Sequence, residues 1–346
     1  MSRRTAKVAE AVREVVATTI LFGLKDPRVK NVTVLWADAA PDLKSVKVFI
    51  SVRGEPRHAV LAMHGLESAR GFIQRQIADQ LDLRYTPVLQ FVLDPGAKLA
   101  AETSAVLREA IGEHVVSAAG HSLGEFSAYH TAGTLELGAA ARIVRRRGTL
   151  MYEQGVQRPG AMAAILGVLT VSIDDLCAQA SAERGLVVPA NYNSEEQVVI
   201  SGEVAGVERA MELAKDAGAK RCLPLPVSGA FHSPLMAPAV DGLAQALDAE
   251  SWHAPRMPVV ANVNAEPITD AQVARDLLVQ QLTAPVQWTR VMRALAERNP
   301  DATFVEIGSG AVLTGLARRI APGVKTAAVG TVAEVEKFLD TAAQNS

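Results

Sequence analysis

Only two cysteines occur in 346 residues, Cys177 and Cys222, far apart and without metal-ligand spacing. The chain therefore offers no disulfide framework and no cysteine metal site, and it suits a reducing compartment. Aromatic residues are equally scarce at 4%, so Ala, Val and Leu must fill the cores. No apolar run approaches the roughly 18 residues needed to cross a bilayer. Met1-Ser2-Arg3-Arg4 leads into an amphipathic stretch broken by Arg13 and Glu14, which is no secretion signal, and a cytoplasmic location is expected. The formal net charge of -2 neither requires nor excludes a polyanionic partner. What remains is 49% hydrophobic and 21% charged, the balance of a globular chain large enough for two or three cores. Lys and Arg outnumber Asp and Glu 16 to 13 over residues 1–113 and fall short, 19 to 24, over the rest. That asymmetry hints at two parts of different history.

Periodicity separates the same two parts. The front predicts helix (about 5–24), strand (30–37), strand (43–52), helices (56–81), strand (87–93) and helix (97–112). Val8, Val12, Val15, Val16 and Ile20 recur at helical spacing, and Val46, Val48 and Ile50 alternate as in a strand. This α-β-β-α-α-β order is that of a type II KH-like domain over residues 1–113. From Val115 onward strands and helices alternate in α/β style, giving a second domain over 114–346. Inside it, a βαββαβ stretch at about 158–227 has the ferredoxin-like order of an inserted subdomain. The strand-like runs 259–263, 303–307 and 326–329 are expected to return to the main sheet.

The chemistry concentrates at Gly120-His121-Ser122-Leu123-Gly124-Glu125, which follows an apolar run and opens a helical pattern over 123–132. This is the G-x-S-x-G arrangement of a nucleophile elbow. Both glycines are expected to make room for a sharp turn that pushes the Ser122 hydroxyl outward. Backbone N–H groups at the helix start then face a developing oxyanion. A serine hydroxyl needs a base. His232, on a loop just past a strand in Gly229-Ala230-Phe231-His232-Ser233, is the best placed candidate. Arg147, 25 residues after Ser122, can pair with a free substrate carboxylate through its guanidinium fork. Arg142, Arg145 and Arg146 read instead as a solvated helix end, and His121 as packed in the turn.

Several ordered motifs carry a resemblance. Lys25-Asp26-Pro27-Arg28-Val29, Asp42-Leu43-Lys44, Lys47-Val48, Ser68-Ala69-Arg70-Gly71-Phe72 and Leu83-Arg84-Tyr85-Thr86-Pro87 make residues 3–112 similar to ribosome-binding factor A. The resemblance implies a helix–kink–helix at Ala69-Arg70-Gly71 in place of a KH glycine loop, and a partner in the small ribosomal subunit and its rRNA. Lys44, Lys47, Arg70, Arg75 and Arg84 are then candidate phosphate contacts around Gly71, against a plain reading as solvated charges and a helix kink.

Residues 115–340 resemble malonyl-CoA:acyl-carrier-protein transacylases. The matching pieces are the elbow, Arg146-Arg147-Gly148, Gly160-Ala161-Met162, Asn191-Tyr192-Asn193-Ser194, Phe231-His232, Pro285-Val286-Gln287-Trp288 and Glu306-Ile307-Gly308. The resemblance implies an α/β-hydrolase-like acyltransferase core. Its serine takes malonyl from coenzyme A and passes it to the phosphopantetheine thiol of acyl carrier protein in fatty acid synthesis. No cofactor is held permanently, no metal takes part, and the coenzyme A thioester is substrate. Mapped here, Ser122 is the nucleophile, His232 the general base and Arg147 the grip on the malonyl carboxylate. Gln281 and Asn262 frame the pocket and orient the histidine, Leu123 borders the site, and Phe231 suits an unbranched acyl unit. A backbone carbonyl can hold the imidazole without a third acid. The front departs from the family, which begins roughly 80 residues earlier with a strand ending in a Gly-Gln-Gly turn. This chain has no Gly-Gln-Gly. Two other readings stay open: a ribosome maturation factor carrying an inactive acyltransferase passenger, and a general serine esterase.

Overall fold

The computed structural model describes residues 3–52, 56–81, 83, 85–93, 115–227, 229–308 and 310–344. The chain divides into two compact units, Met1–Val106 and Leu107–Ser346.

In the first unit, helix α1 (Arg3–Thr18) runs into a short π turn over Thr19–Gly23. Strand β1 (Val32–Ala39) pairs antiparallel with β2 (Ser45–Val52), and β2 pairs parallel with β3 (Val88–Leu93). Strict alternation along β2 sends Val46, Val48 and Ile50 into a core with Val12 and Val16 of α1. Helix α2 (Pro56–Gln80) covers the same face with Leu66, Ile73 and Ile77. Each such buried aliphatic contributes about 1.5–3 kcal/mol. Where two helices and a kink are expected, α2 runs without interruption through Ala69-Arg70-Gly71. A single glycine in a long helix lowers its stability by only about 1 kcal/mol, which tertiary packing easily outweighs. The helix expected over 97–112 and the contact expected at Arg84 lie outside the described residues.

Among the described residues, the first element of the second unit is β4 (Ala118–Ala119), shorter than the apolar run around it. The elbow turns it into α3 (Leu123–Thr131), followed by α4 (Leu137–Gln157). Along α4, Ile143, Arg147, Leu150, Met151 and Gln154 form one buried stripe. The basic run of residues 142–147 thus lies in mid-helix rather than at a helix end, and Arg142 reaches Glu250 at 2.6 Å.

Next comes a four-stranded antiparallel sheet in the order β6-β7-β5-β8. Its strands are β5 (Ala161–Leu166), β6 (Val187–Ser194), β7 (Gln197–Gly202) and β8 (Arg221–Pro224). Helices α5 (Ile173–Arg184) and α6 (Val204–Asp216) pack on it through Leu176, Ala180, Val207 and Ala210. After α7 (Val240–Asp248), β9 (Val259–Val260) lies parallel to β4 and antiparallel to β10 (Pro267–Ile268). Helices α8 (Ala271–Gln280) and α9 (Trp288–Arg298) follow. Then β11 (Thr303–Ile307), α10 (Val312–Ile320), β12 (Lys325–Val329) and α11 (Val332–Gln344) complete the chain.

The last two strands do not return to the sheet of β4. Among the described residues, β10-β9-β4 and β11-β12 are separate sheets. No helix is long and apolar enough to cross a membrane, among the described residues.

Candidate active site

Ser122 sits where β4 ends and α3 begins, in the left-handed region at φ 52° and ψ -104°. A non-glycine residue held there is strained. Its anchor is Asn262, just past β9. The Ser122 N–H donates to Asn262 Oδ1 at 2.7 Å, and Asn262 Nδ2 donates to the Gly120 carbonyl at 2.7 Å. One buried amide therefore clamps both ends of the bend. A Cβ on Gly120 would fall 1.9 Å from the Gly124 carbonyl oxygen, whereas one on Gly124 would meet nothing within 4 Å. Only the first glycine makes room for the turn. Leu123, the first helical residue, is half exposed, and its N–H has no carbonyl a turn earlier to bond.

The candidate base lies on the loop after β8. His232, buried and also at positive φ (55°), places Nε2 2.7 Å from Ser122 Oγ. Its Nδ1 lies 2.9 Å from the Gln281 carbonyl oxygen and 3.2 Å from that of Ala284. Carbonyls only accept, so Nδ1 carries the proton and the Nε2 lone pair faces the hydroxyl. Burial, reinforced by the nearby Arg147 cation, pushes the His232 imidazole down to about 3. The ring is neutral at pH 7 and able to take a proton.

Arg147 reaches the same oxygen from α4. Its Nη2 donates to Ser122 Oγ at 3.1 Å and to Gln281 Oε1 at 3.1 Å, and its guanidinium lies 5.8 Å from the Phe126 ring centre. Arg147 Nε is buried without a partner. Burial lowers this guanidinium to about 10. A buried cation with an unused donor, beside a reachable hydroxyl, is suited to an anionic group arriving with the substrate.

Sequence reasoning missed Glu125, the last residue of the quoted hexapeptide. It is fully buried on α3, where its Oε2 accepts from Gln281 Nε2 at 2.7 Å and from the Asn262 N–H at 3.1 Å. Burial pushes its carboxyl up to about 7, while hydrogen bonds from Gln281 and Asn262 and the charge of Arg147 pull the other way. Gln281 Nε2 also reaches the Ser122 carbonyl at 3.0 Å. Gln281, Asn262 and Glu125 thus form one polar network under Ser122. The missed signal was an acidic residue three positions after the serine, on the helix face that turns inward.

Phe231 is partly buried and packs between the core of α3 and α4 and the Met162–Ala164 side of β5. His121 is turned away, with Nε2 2.8 Å from Asn193 Oδ1 and its ring tilted against Trp288.

In the first unit the basic candidates are divided between β2 with the residue before it and α2. Lys47 is exposed on the sheet face opposite the helices, and Lys44 is exposed at the start of β2. Arg70, Gly71 and Arg75 lie on α2, where Arg70 pairs with Glu67 at 3.0 Å and a Cβ on Gly71 would meet nothing within 4 Å.

Residues 98–337 match the family model of the acyl transferase domain. The chain belongs to that family. Residues 4–107 match the family model of ribosome-binding factor A. The chain is 48% identical over 202 residues to the malonyl CoA-acyl carrier protein transacylase of Escherichia coli K12, covering 58% of this chain and 65% of that one. It is 42% identical over 223 residues to the Bacillus subtilis protein of the same name, covering 64% and 70%. It thus spans about 65% of the length of its Escherichia coli relative. Among solved structures, an acyl carrier protein S-malonyltransferase from Vibrio cholerae superposes with a TM-score of 0.65 at 41% identity, covering 69% of this chain and 78% of the other.

Proposed function

We propose that this acyltransferase moves a malonyl group from coenzyme A to the phosphopantetheine thiol of acyl carrier protein through a Ser122 ester. The observation that carries the reading is Arg147 Nη2 at 3.1 Å from Ser122 Oγ, on a buried cation with an unused donor. A simple esterase has no use for such a cation. The relatives' names supply the same cargo and acceptor. In the first half-reaction, Ser122 Oγ attacks the thioester carbonyl carbon as its proton passes to His232 Nε2. The Leu123 N–H faces the oxyanion. The carbon–sulfur bond then breaks, and coenzyme A leaves as a thiol with the proton from His232. In the second half, the carrier thiol gives its proton to His232 and attacks the ester. Ser122 then leaves and takes the proton back. Arg147 holds the distal carboxylate throughout, Gln281 and Asn262 keep the base and the bend in register, and Phe231 borders a narrow acyl slot.

Malonyl-CoA should add one malonyl mass to Ser122, and Ser122→Ala should show none. Removing the grip with Arg147→Ala should reduce malonyl loading at least tenfold more than acetyl loading. Equal losses for the two donors would remove the carboxylate role.

For the first unit we infer a type II KH-like domain over about 1–113 that binds the small ribosomal subunit. The parallel β2–β3 pair behind an antiparallel β1–β2 hairpin and the ribosome-binding factor A match support it. Lys44, Lys47, Arg70 and Arg75 are its candidate phosphate contacts around Gly71. The order β6-β7-β5-β8 supports reading about 158–227 as a ferredoxin-like subdomain inserted in the domain over 114–346. Co-sedimentation of the chain with small subunits at moderate salt tests the ribosomal role. Failure to sediment counts against it.

A further inference from the structure

A second concave site lies at the opposite end of α3 from Ser122. His130, eight residues along from Ser122, is about 12 Å away by helical rise. A cavity of about 380 Å³ opens there, between the turn that ends α3 and the segment before β9. Small-molecule sites fall in the range of roughly 300–1,000 Å³. Backbone hydrogen bonds fix its walls. The His253 N–H donates to the Thr134 carbonyl at 3.0 Å, and the Arg256 N–H to that of Ala132 at 2.8 Å. Gly133, between those two carbonyls, has φ 77°, and a Cβ there would fall 2.7 Å from Arg256 Nε. The missing side chain thus seats the guanidinium on the turn.

The polar groups of this cavity are largely unpaired. Arg256 and Glu136 both line it, yet neither forms an ion pair among the described residues. His130 Nδ1 lies 2.8 Å from the Leu135 carbonyl oxygen, so Nδ1 carries the proton and Nε2 keeps a lone pair. Neither that Nε2 nor the His253 ring has a hydrogen-bond partner among the described residues. Nor do His130, Glu136 and His253 gather as metal ligands, among the described residues. The cavity therefore offers a cation for an anionic group, and two acceptors, the Glu136 carboxylate and His130 Nε2, for hydroxyls. A ligand that is only anionic is repelled by Glu136, and one that is only hydroxylated leaves Arg256 unused. A guanidinium fork and an imidazole on one segment match the three oxygens of a phosphate ester better than the two of a carboxylate.

We propose that this cavity binds a small phosphate monoester bearing hydroxyl groups, with its phosphate on Arg256 and His253 and its hydroxyls on Glu136 and His130. The inference does not rest on malonyl as cargo, and these residues take no part in the acyl site. The test is titration calorimetry of the full chain at low salt with glycerol phosphate, inorganic phosphate and glycerate. One-to-one binding of glycerol phosphate is expected, with the other two at least tenfold weaker. Arg256→Gln and His253→Ala, both at exposed side chains, should each weaken glycerol phosphate at least tenfold and leave Ser122 acylation unchanged. Glu136→Ala should weaken glycerol phosphate but tighten inorganic phosphate, since the first loses a hydroxyl acceptor and the second a repelling charge. No binding of glycerol phosphate up to millimolar concentration would overturn the proposal. So would glycerate binding equally well, undiminished binding in Arg256→Gln and His253→Ala, or tightening of both phosphates in Glu136→Ala.

Discussion

At the scale of the residue, the site is governed by charges taken out of water. His232 is held neutral by burial and by Arg147, down to about 3. The acid limb of Ser122 acylation in the free enzyme should therefore lie well below the ordinary histidine value of 6.5. A plot of kcat/KM against pH that breaks near 6.5 would contradict the geometry. The sign for stability follows from linkage. The depressed imidazole stabilises the fold above 6.5 and loses that contribution as pH falls toward 3. Glu125 acts oppositely: raised from 4.5 to about 7, it contributes below 4.5 and loses that contribution as pH rises through 7. Glu125→Gln keeps an acceptor for the Asn262 and Gln281 N–H groups but removes the counter-charge of Arg147. The alkaline limb of malonyl loading, set by an Arg147 that titrates at about 10, should move to lower pH in this variant. An unmoved limb in the pH–rate profile would show that the two charges do not communicate.

At the scale of the element, the elbow separates two glycines that look equivalent in sequence. Gly120→Ala drives a methyl into the Gly124 carbonyl and should lower stability by at least the 1–3 kcal/mol or so of an overpacked core. Gly124→Ala enters open space on a helix and should be neutral or stabilising by up to about 1 kcal/mol. Thermal melts of the two variants check both. The pattern G-x-S-x-G made the bend and the helix legible, because a tight turn leaves its mark in local residue types. Period-two and period-3.6 spacing likewise made β2, α1 and the β5-to-β8 sheet readable. Three things were not legible, each for a physical reason. The uninterrupted α2 depends on a packed face that outweighs one glycine, and local sequence does not state that balance. The basic run of 142–147 was assigned to a helix end because its charges dominate the local pattern. The apolar residues that carry α4 on to Gln157 signal only through distant partners. Glu125 was overlooked because a charged residue near a helix start is ordinarily solvated, and only the meeting of Asn262 and Gln281 beneath it shows otherwise.

At the scale of the whole molecule, two compact units share one chain, each with hydrophobic clusters of its own. Leu66 is fully buried in the first, within a cluster formed by α1, α2 and the three-stranded sheet. Leu66→Ala should cost the first unit about 2–5 kcal/mol and leave the rate of Ser122 acylation unchanged. A parallel loss of acylation would mean that the units fold as one. Long-range pairing was the least legible level of all. The runs 303–307 and 326–329 read correctly as strands, yet nothing in them says which strands they pair with, and the division into separate sheets among the described residues appears only in three dimensions.

The histidine is steadied by two peptide oxygens where many hydrolases station an acidic side chain. An imidazolium born during turnover therefore has no resident anion to settle against, and a guanidinium stands close by to repel it. Under the proposed malonyl transfer, relief arrives with the cargo, whose terminal carboxylate quiets that guanidinium at the moment the proton moves. Selectivity is then exercised in the bond-making step as well as in docking. An acyl chain with a bare methyl end should suffer in kcat and not merely in KM.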